Sequence, residues 1–134
     1  MVIDIEAMVY TPIATALRSS FSGITVEGDY SKTPTGFPFV SIVEADNYTT
    51  TSRLDSSDTE KYSTLMFEVN VYSNKTKGRK SECKSIMALI DSMMYAMNFT
   101  RIVLSPVPNL DNANIYRMTA RYRAESDGTT IFRR

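Results

Sequence analysis

A strict alternation of side chains between residues 61 and 73 constrains this chain more than any other feature. From residue 65 to residue 71 apolar side chains occupy every second position, and mainly polar ones stand between them. The apolar positions are Leu65, Phe67, Val69 and Val71, and the intervening positions are Thr64, Met66, Glu68, Asn70 and Tyr72. Successive side chains of a strand point to opposite faces of a sheet. The alternation therefore predicts a strand with one face in the core and a semi-polar back.

Two helices are predicted from apolar residues that recur at three- and four-residue steps. The clearer helix follows the alternating strand, and its stripe consists of Cys83, Ile86, Met87, Ile90, Met93, Met94 and Met97. We attribute its methionines mainly to packing against the sheet. The other stripe lies within residues 3–21 and is interrupted by Pro12. Either the proline kinks one helix, or a shorter helix begins with Thr11 as its N-cap and Pro12 in its first turn; the local chemistry favours the shorter helix.

Further strands are predicted from β-branched residues and turn signals. They lie at residues 24–26, 39–48, 101–107 and 115–124, and the tight-turn dipeptide Asp127-Gly128 favours a last edge strand at 129–133. We therefore expect an α+β domain with an antiparallel-rich, mixed sheet of four to five strands and two helices packed on one face. No repeat or shift in composition divides the 134 residues, so a single domain covers residues 1–134.

One segment differs in composition from the rest of the chain. Residues 49–60 hold a single apolar side chain, Leu54, among hydroxyl and charged residues. Burial of so little apolar surface does not offset the entropy lost on ordering, so we expect a long mobile loop between two paired strands. Asp55, Asp58 and Glu60 in this loop carry oxygen ligands that suit calcium or magnesium, but they lack the spacing of an EF-hand. A solvated loop is the favoured interpretation.

Composition excludes most catalytic classes. With no histidine, the chain contains neither a Ser-His-Asp triad nor a Cys-His pair. The lone cysteine, Cys83, lies on an apolar helix stripe, where core packing is expected, and its isolation fits a reducing compartment. Carboxylates such as Asp4, Glu6, Glu44 and Glu68 cannot be paired as acid and base from the sequence, because their separation in space is unknown. We expect a protein that is not an enzyme and that has no cofactor and no metal.

The charge balance limits the partners of the chain. Its 15 basic and 15 acidic residues cancel, so no global field attracts nucleic acid or a membrane surface. The first residues lack the pattern of a secretory signal, and no stretch approaches the roughly 18 apolar residues needed to span a bilayer. We therefore expect no membrane partner.

A basic stripe is predicted on the strand at residues 115–124. Arg117, Thr119, Arg121 and Arg123 share one face of that strand. A guanidinium binds phosphate or pairs with a carboxylate of a neighbouring subunit in similar geometry. Because the net charge is zero and no aromatic-basic interleaving accompanies the stripe, subunit pairing or a solvated face is favoured over nucleic acid.

The order of these elements resembles a known family over nearly the whole chain. The resemblance is carried by a polar loop and four segments, FPFVSIVEADN, LMFEVNVYSN, KGRKSECKSIMALIDSMM and RIVLSPVPNLDNANIYRMTARYRA. In this pattern the chain resembles the tail-terminator, or tail-completion, proteins of long-tailed bacteriophages and phage-tail-like particles, in the form found with Gram-positive hosts. The resemblance implies a subunit of a hexameric ring that caps the tail tube, ends its polymerisation and forms the surface to which the head docks. It implies no catalytic residue.

The resemblance also implies partners and a location. The chain would contact copies of itself, the tail tube protein and head–tail connector proteins, while DNA passes through the ring without sequence-specific binding. It would be assembled in the cytoplasm of the bacterial host and reside in the virion, at the head-proximal end of the tail. We assign subunit or tube contacts to Arg53, Leu54, Asp55, Asp58, Glu60, Arg117, Arg121 and Arg123.

Two other classes of function stay open at this point. A head-proximal connector or stopper ring from the same kind of particle fits the sequence nearly as well. A small nucleic-acid-binding module is a more distant alternative, and it predicts an affinity for DNA that falls steeply with salt. A carboxylate-metal enzyme is the weakest alternative.

Overall fold

The computed structural model describes residues 4–29, 36–49, 63–107 and 114–132. Two helices lie among them, α1 (Glu6–Ser20) and α2 (Arg79–Ala96). The strands are β1 (Thr25–Glu27), β2 (Phe39–Thr49), β3 (Ser63–Ser73), β4 (Thr100–Val107), β5 (Tyr116–Ser126) and β6 (Ile131–Phe132). Each strand predicted from the sequence is present, with bounds that differ by a few residues. Neither of the described helices is long and apolar enough to cross a bilayer.

All the described strands belong to one mixed sheet. The strand order is β1-β2-β3-β5-β4, and β6 pairs with the end of β5. β1 is parallel to β2, and the other pairs are antiparallel. The expected α+β class is therefore confirmed. The sheet has six strands where four to five were expected, because the two shortest strands, β1 and β6, both join it.

The core lies on one side of the sheet, and β3 is its centre. The four apolar residues of the alternation, Leu65, Phe67, Val69 and Val71, are fully buried. Side chains from both helices belong to the same buried cluster, including Ile13 of α1 and Ile86 of α2. The ring of Phe67 meets that of Phe99 edge to face, with centroids 5.5 Å apart. The two helices thus pack on the same face of the sheet, as predicted.

The predicted start of the first helix at Thr11 is wrong. α1 begins at Glu6 and continues through Pro12. Ile5 and Val9 are buried, so the turns before the proline are held in the core. Pro12 is exposed and has no backbone N–H, so it cannot donate the helix hydrogen bond to the carbonyl oxygen of Met8. Met8 is itself 42% exposed. The carbonyl left without a donor therefore lies on the solvent side of the helix.

The apolar stripe of α2 agrees with the prediction. Its buried residues are Cys83, Ile86, Met87, Ile90 and Met94. Met93 and Met97 are partly buried and also pack against the core. The helix ends before Asn98, whose φ of 70° reverses the chain toward β4. The methionines of this helix are thus accounted for by packing.

Replacement of Phe67 by alanine tests the position of the core. Phe67→Ala is expected to lower the free energy of unfolding by about 3–5 kcal/mol, because it leaves a cavity beside Phe99. Urea unfolding followed by circular dichroism measures the change. The control is Val103→Ala, which changes a strand residue that is 41% exposed. This variant should lower the free energy of unfolding by less than about 1 kcal/mol. Equal losses for the two variants would contradict the placement of β3.

Candidate functional site

The side of the sheet away from the helices carries the predicted arginine stripe. The pairing of β5 with β3 places Arg117 opposite Tyr72 and Arg121 opposite Glu68. We call this surface the arginine face; it consists of Arg117, Thr119, Arg121 and Arg123 of β5 and of Met66, Glu68, Asn70 and Tyr72 of β3. The predicted sharing of one face by the three arginines is confirmed. The three arginine side chains have different contacts.

Arg117 is held by side chains of the neighbouring strand. Its Nε and Nη2 both donate to the Oδ1 of Asn70, at 3.1 and 2.8 Å. The guanidinium also lies 5.4 Å from the centre of the Tyr72 ring, within the range of a cation–π contact. Asn70 is fully buried although it lies outside the apolar core. Arg117 therefore satisfies a buried amide of its own chain.

Arg121 forms the more exposed half of the same network. Its Nε and Nη2 donate to the Oε1 of Glu68, at 3.2 and 2.9 Å. The Nδ2 of Asn70 donates to the other oxygen of Glu68 at 3.2 Å, which joins the two arginine sites. The Arg121 side chain is 48% exposed and that of Glu68 13%. Solvent and a second molecule thus have access to about half of Arg121.

Arg123 does not join this network. It lies opposite Met66 on β3 and Thr100 on β4. Its Nε is buried and, among the described residues, has no hydrogen-bond partner. The structure therefore brings Arg117 and Arg121 together and leaves Arg123 apart.

The remaining predicted contact residues lie outside the described part of the chain. They are Arg53, Leu54, Asp55, Asp58 and Glu60. Of the loop predicted at residues 49–60, only Thr49 is described, as the last residue of β2. Within the described ranges, no group of three or more metal-ligating side chains is placed to hold an ion.

An apolar edge strand is a feature that the sequence analysis missed. β4 ends the main path of the sheet, so its outer edge has no strand partner within the described residues. We call Ile102, Val103 and Leu104 the β4 edge; they are 45%, 41% and 37% exposed. The signal was present as three consecutive apolar residues, which do not fit a strand with one polar face. Exposed hydrophobic edges of this kind pair readily with other chains.

A groove of about 350 Å³ borders the β4 edge on the helix side of the sheet. Leu104, Met87 and Met118 contribute apolar surface, and Lys84 and Arg101 are among the residues at its rim. Within the groove, Arg101 pairs with Asp91 at 3.3 Å, and the hydroxyl of Tyr122 donates to the same carboxylate at 2.9 Å. Burial, followed by contact with Asp91, raises the pKa of Tyr122. The tyrosine is therefore a neutral donor that fixes the ion pair.

Acidic residues collect at the other end of the sheet. Glu6 accepts a hydrogen bond from the backbone nitrogen of Glu44 at 3.4 Å. Burial, and then the charges of Asp4 and Glu6, raise the pKa of Glu44. The described residues between positions 4 and 49 hold six acidic side chains and one basic side chain, whereas the rest of the described chain holds five acidic and nine basic. A chain with no net charge is thus acidic at one end of its sheet and basic toward the other.

Comparison with protein-family models and with curated proteins finds no match to this chain.

Cys83 belongs to the core and not to a reactive site. Its thiol is fully buried, 3.7 Å from the carbonyl oxygen of Val71 and 3.6 Å from that of Tyr116. Burial, with a smaller contribution from Glu82, raises its pKa to about 12. The expected role in packing is confirmed by these contacts.

We expect Cys83 to resist thiol reagents in the folded protein. At pH 8 an aromatic disulfide reagent should react slowly with the native chain and rapidly after urea is added, because the thiolate is the reacting form. Rapid modification of the native protein would contradict the burial of α2 against the sheet.

The raised pKa of Cys83 also predicts that part of the free energy of unfolding, present below pH 9, is lost as the pH rises toward 12.

The arginine network makes a second prediction. Asn70→Ala removes the amide that accepts both bonds from Arg117, and should lower the free energy of unfolding by about 1.5–3 kcal/mol. The matched change in the exposed pair, Arg121→Ala, should cost less than about 1 kcal/mol and should cost less still in high salt. Urea unfolding at two salt concentrations measures both. If Asn70→Ala is the milder change, the network does not hold the two strands as described.

Proposed function

We propose that this protein is a structural subunit of a phage tail or phage-tail-like particle, in which copies form a hexameric ring that caps the tail tube. The ring ends polymerisation of the tube and forms the surface to which the head docks. The β4 edge is the observation that carries the proposal. β4 is paired on one side only within the described residues, and a strand edge with three exposed apolar residues is a hazard in an isolated domain, but not in a ring, where each copy has a neighbour to cover it.

The position of the resembling segments supports the proposal. FPFVSIVEADN and LMFEVNVYSN contain most of β2 and β3, and KGRKSECKSIMALIDSMM contains α2 except for its last two residues. RIVLSPVPNLDNANIYRMTARYRA runs through β4 and β5. The four segments therefore include most of the helix and strand residues that surround the core.

In this proposal the ring acts by shape and charge. One face of the ring reproduces the contacts that a tube subunit makes, and the other face lacks them, so addition of tube subunits stops there. The half-exposed guanidinium of Arg121 and the side chains of Arg53 and Arg123 are proposed to pair with a neighbouring subunit or with the tube. Arg117 is a weaker candidate, because Asn70 already accepts from two of its nitrogens.

Negative-stain imaging of the purified protein, with and without isolated tail tubes of the particle that carries it, tests the proposal. Rings of uniform diameter are expected at one end of each tube, and particles that lack the protein should have tails of irregular length that do not join heads. Tails of normal length that join heads in its absence would refute the proposal. Binding to tails that lack heads, rather than to heads that lack tails, distinguishes a terminator from a connector or stopper ring.

The role of Arg121 is tested separately. Arg121→Glu reverses the charge beside Glu68 and is expected to abolish ring formation and head joining, whereas Arg121→Lys should retain both in part. Circular dichroism of each variant checks that the sheet is intact. Ring formation and head joining by a folded Arg121→Glu chain would show that this residue makes no contact between subunits or with the tube.

A further inference from the structure

We infer that copies of this chain associate head to tail, with the β4 edge of one copy docked against the α1–β1 side of the next. The inference rests on the proposed function, which requires neighbouring copies but does not say which surfaces meet. The partner is a second copy of the same chain. Three features of the molecule support this contact: the apolar β4 edge, the separation of charge across the sheet and the groove at each end.

The β4 edge supplies the apolar half of the contact. Of its three exposed residues, Leu104 lines the groove beside α2 together with Met118, and Val103 lies opposite Arg121 of β5. Pro106 removes one donor from the strand, while the residues before it keep their backbone N–H groups. Lys84 and Arg101 at the rim, and Arg121 on the opposite face beside Val103, outnumber Asp91 and Glu68, the carboxylates that pair with the two arginines, so the surroundings of the edge keep a net positive charge.

The α1–β1 side supplies the acidic half. A groove of about 290 Å³ lies there, lined by Glu6, Ala7, Tyr10, Thr11 and Gly28. Glu27 and Asp29 are exposed next to it, and Met8 adds apolar surface on α1 that is 42% exposed. This side is acidic overall, with Arg18 as the one basic side chain described among α1, β1 and β2.

The backbone edge of β1 is already partly occupied. The carbonyl oxygen of Val26 accepts a hydrogen bond from the hydroxyl of Tyr10 at 3.0 Å and one from Arg18 at 3.5 Å. A neighbouring strand therefore finds little to pair with on β1 itself. We accordingly assign the contact to side chains. The apolar β4 edge of one copy covers Met8 and the α1 groove of the next. The cations that flank the β4 edge then face Glu27 and Asp29.

Charge decides between this contact and pairing of two β4 edges. If two copies were joined through their β4 edges, Lys84 and Arg121 of one copy would approach Lys84 and Arg121 of the other. Like charges in close contact are unfavourable. A contact between opposite ends of the sheet joins unlike charges. It is also heterologous, which is the kind of interface that generates a closed ring when the rotation between copies allows it.

Two variants, each with one end blocked, test the inference by sedimentation velocity at about 10 mM salt, where surface charges are least screened. Ile102→Asp blocks the β4 edge, and the double variant Glu27→Lys, Asp29→Lys reverses the acidic side. The wild-type chain is expected to form species larger than a dimer. Each variant alone should need at least about tenfold more protein to associate. An equimolar mixture should form dimers and nothing larger, because each copy then has one intact end.

The controls keep the outcomes distinct. Tyr95→Asp changes an exposed side chain near the end of α2, and should associate like the wild type. Lys84→Glu tests the basic rim without altering the strand, in case Ile102→Asp disturbs the fold as judged by circular dichroism. Self-association of the Glu27→Lys, Asp29→Lys variant that equals the wild type would indicate pairing through β4 and overturn the inference. A wild-type chain that stays monomeric at low salt would also overturn it.

The same variants separate this inference from the proposed function. If rings cap tail tubes but form equally from the Ile102→Asp chain, the assignment of surfaces is wrong and the proposed function stands. If the copies associate head to tail as inferred but never bind a tail tube, the surfaces are correct and the proposed function is wrong.

Discussion

Burial of one face of β3 is the interaction on which the rest of this structure depends. Four consecutive inward positions, from Leu65 to Val71, are fully buried; α2 packs over them, and α1 joins the same buried cluster through its contacts with α2, β1 and β2. β2 and β5 flank the strand on either side, and each pairs with nearly its whole length. Because this strand is held from three directions, it fixes the register of its neighbours. That register in turn decides which side chains of β5 face Glu68 and Asn70.

The sequence predicted the parts of the fold that depend on local periodicity. The alternation in β3 and β5 and the stripe of α2 each repeat over several residues, so tertiary contacts reinforce a pattern already present. Pro12 shows the limit of local reasoning. The chemistry around Thr11 favours a new helix there, but burial of Ile5 and Val9 holds the preceding turns in place. Packing in the core therefore outweighed the loss of one exposed hydrogen bond.

The candidate site was less predictable, because its contacts join distant parts of the chain. The three-arginine stripe followed from spacing, yet the partner of Arg117 lies 47 residues away and that of Arg121 lies 53 residues away. No spacing rule identifies such partners. The separation of charge across the sheet also depends on strand order, since β1 and β4 become opposite ends only after β5 inserts between β3 and β4.

That insertion has a consequence for how the chain is made. β4 precedes β5 in the sequence, but it joins the sheet only through β5. During synthesis on the ribosome, the apolar residues of β4 emerge first and have no strand to pair with until β5 has also left the exit tunnel. The nascent chain therefore passes through a stage in which β2, β3 and α2 are available to fold while the apolar residues of β4 are still exposed and unpaired. Translation speed and chaperone access over the segment between β4 and β5 then become determinants of the yield of folded protein.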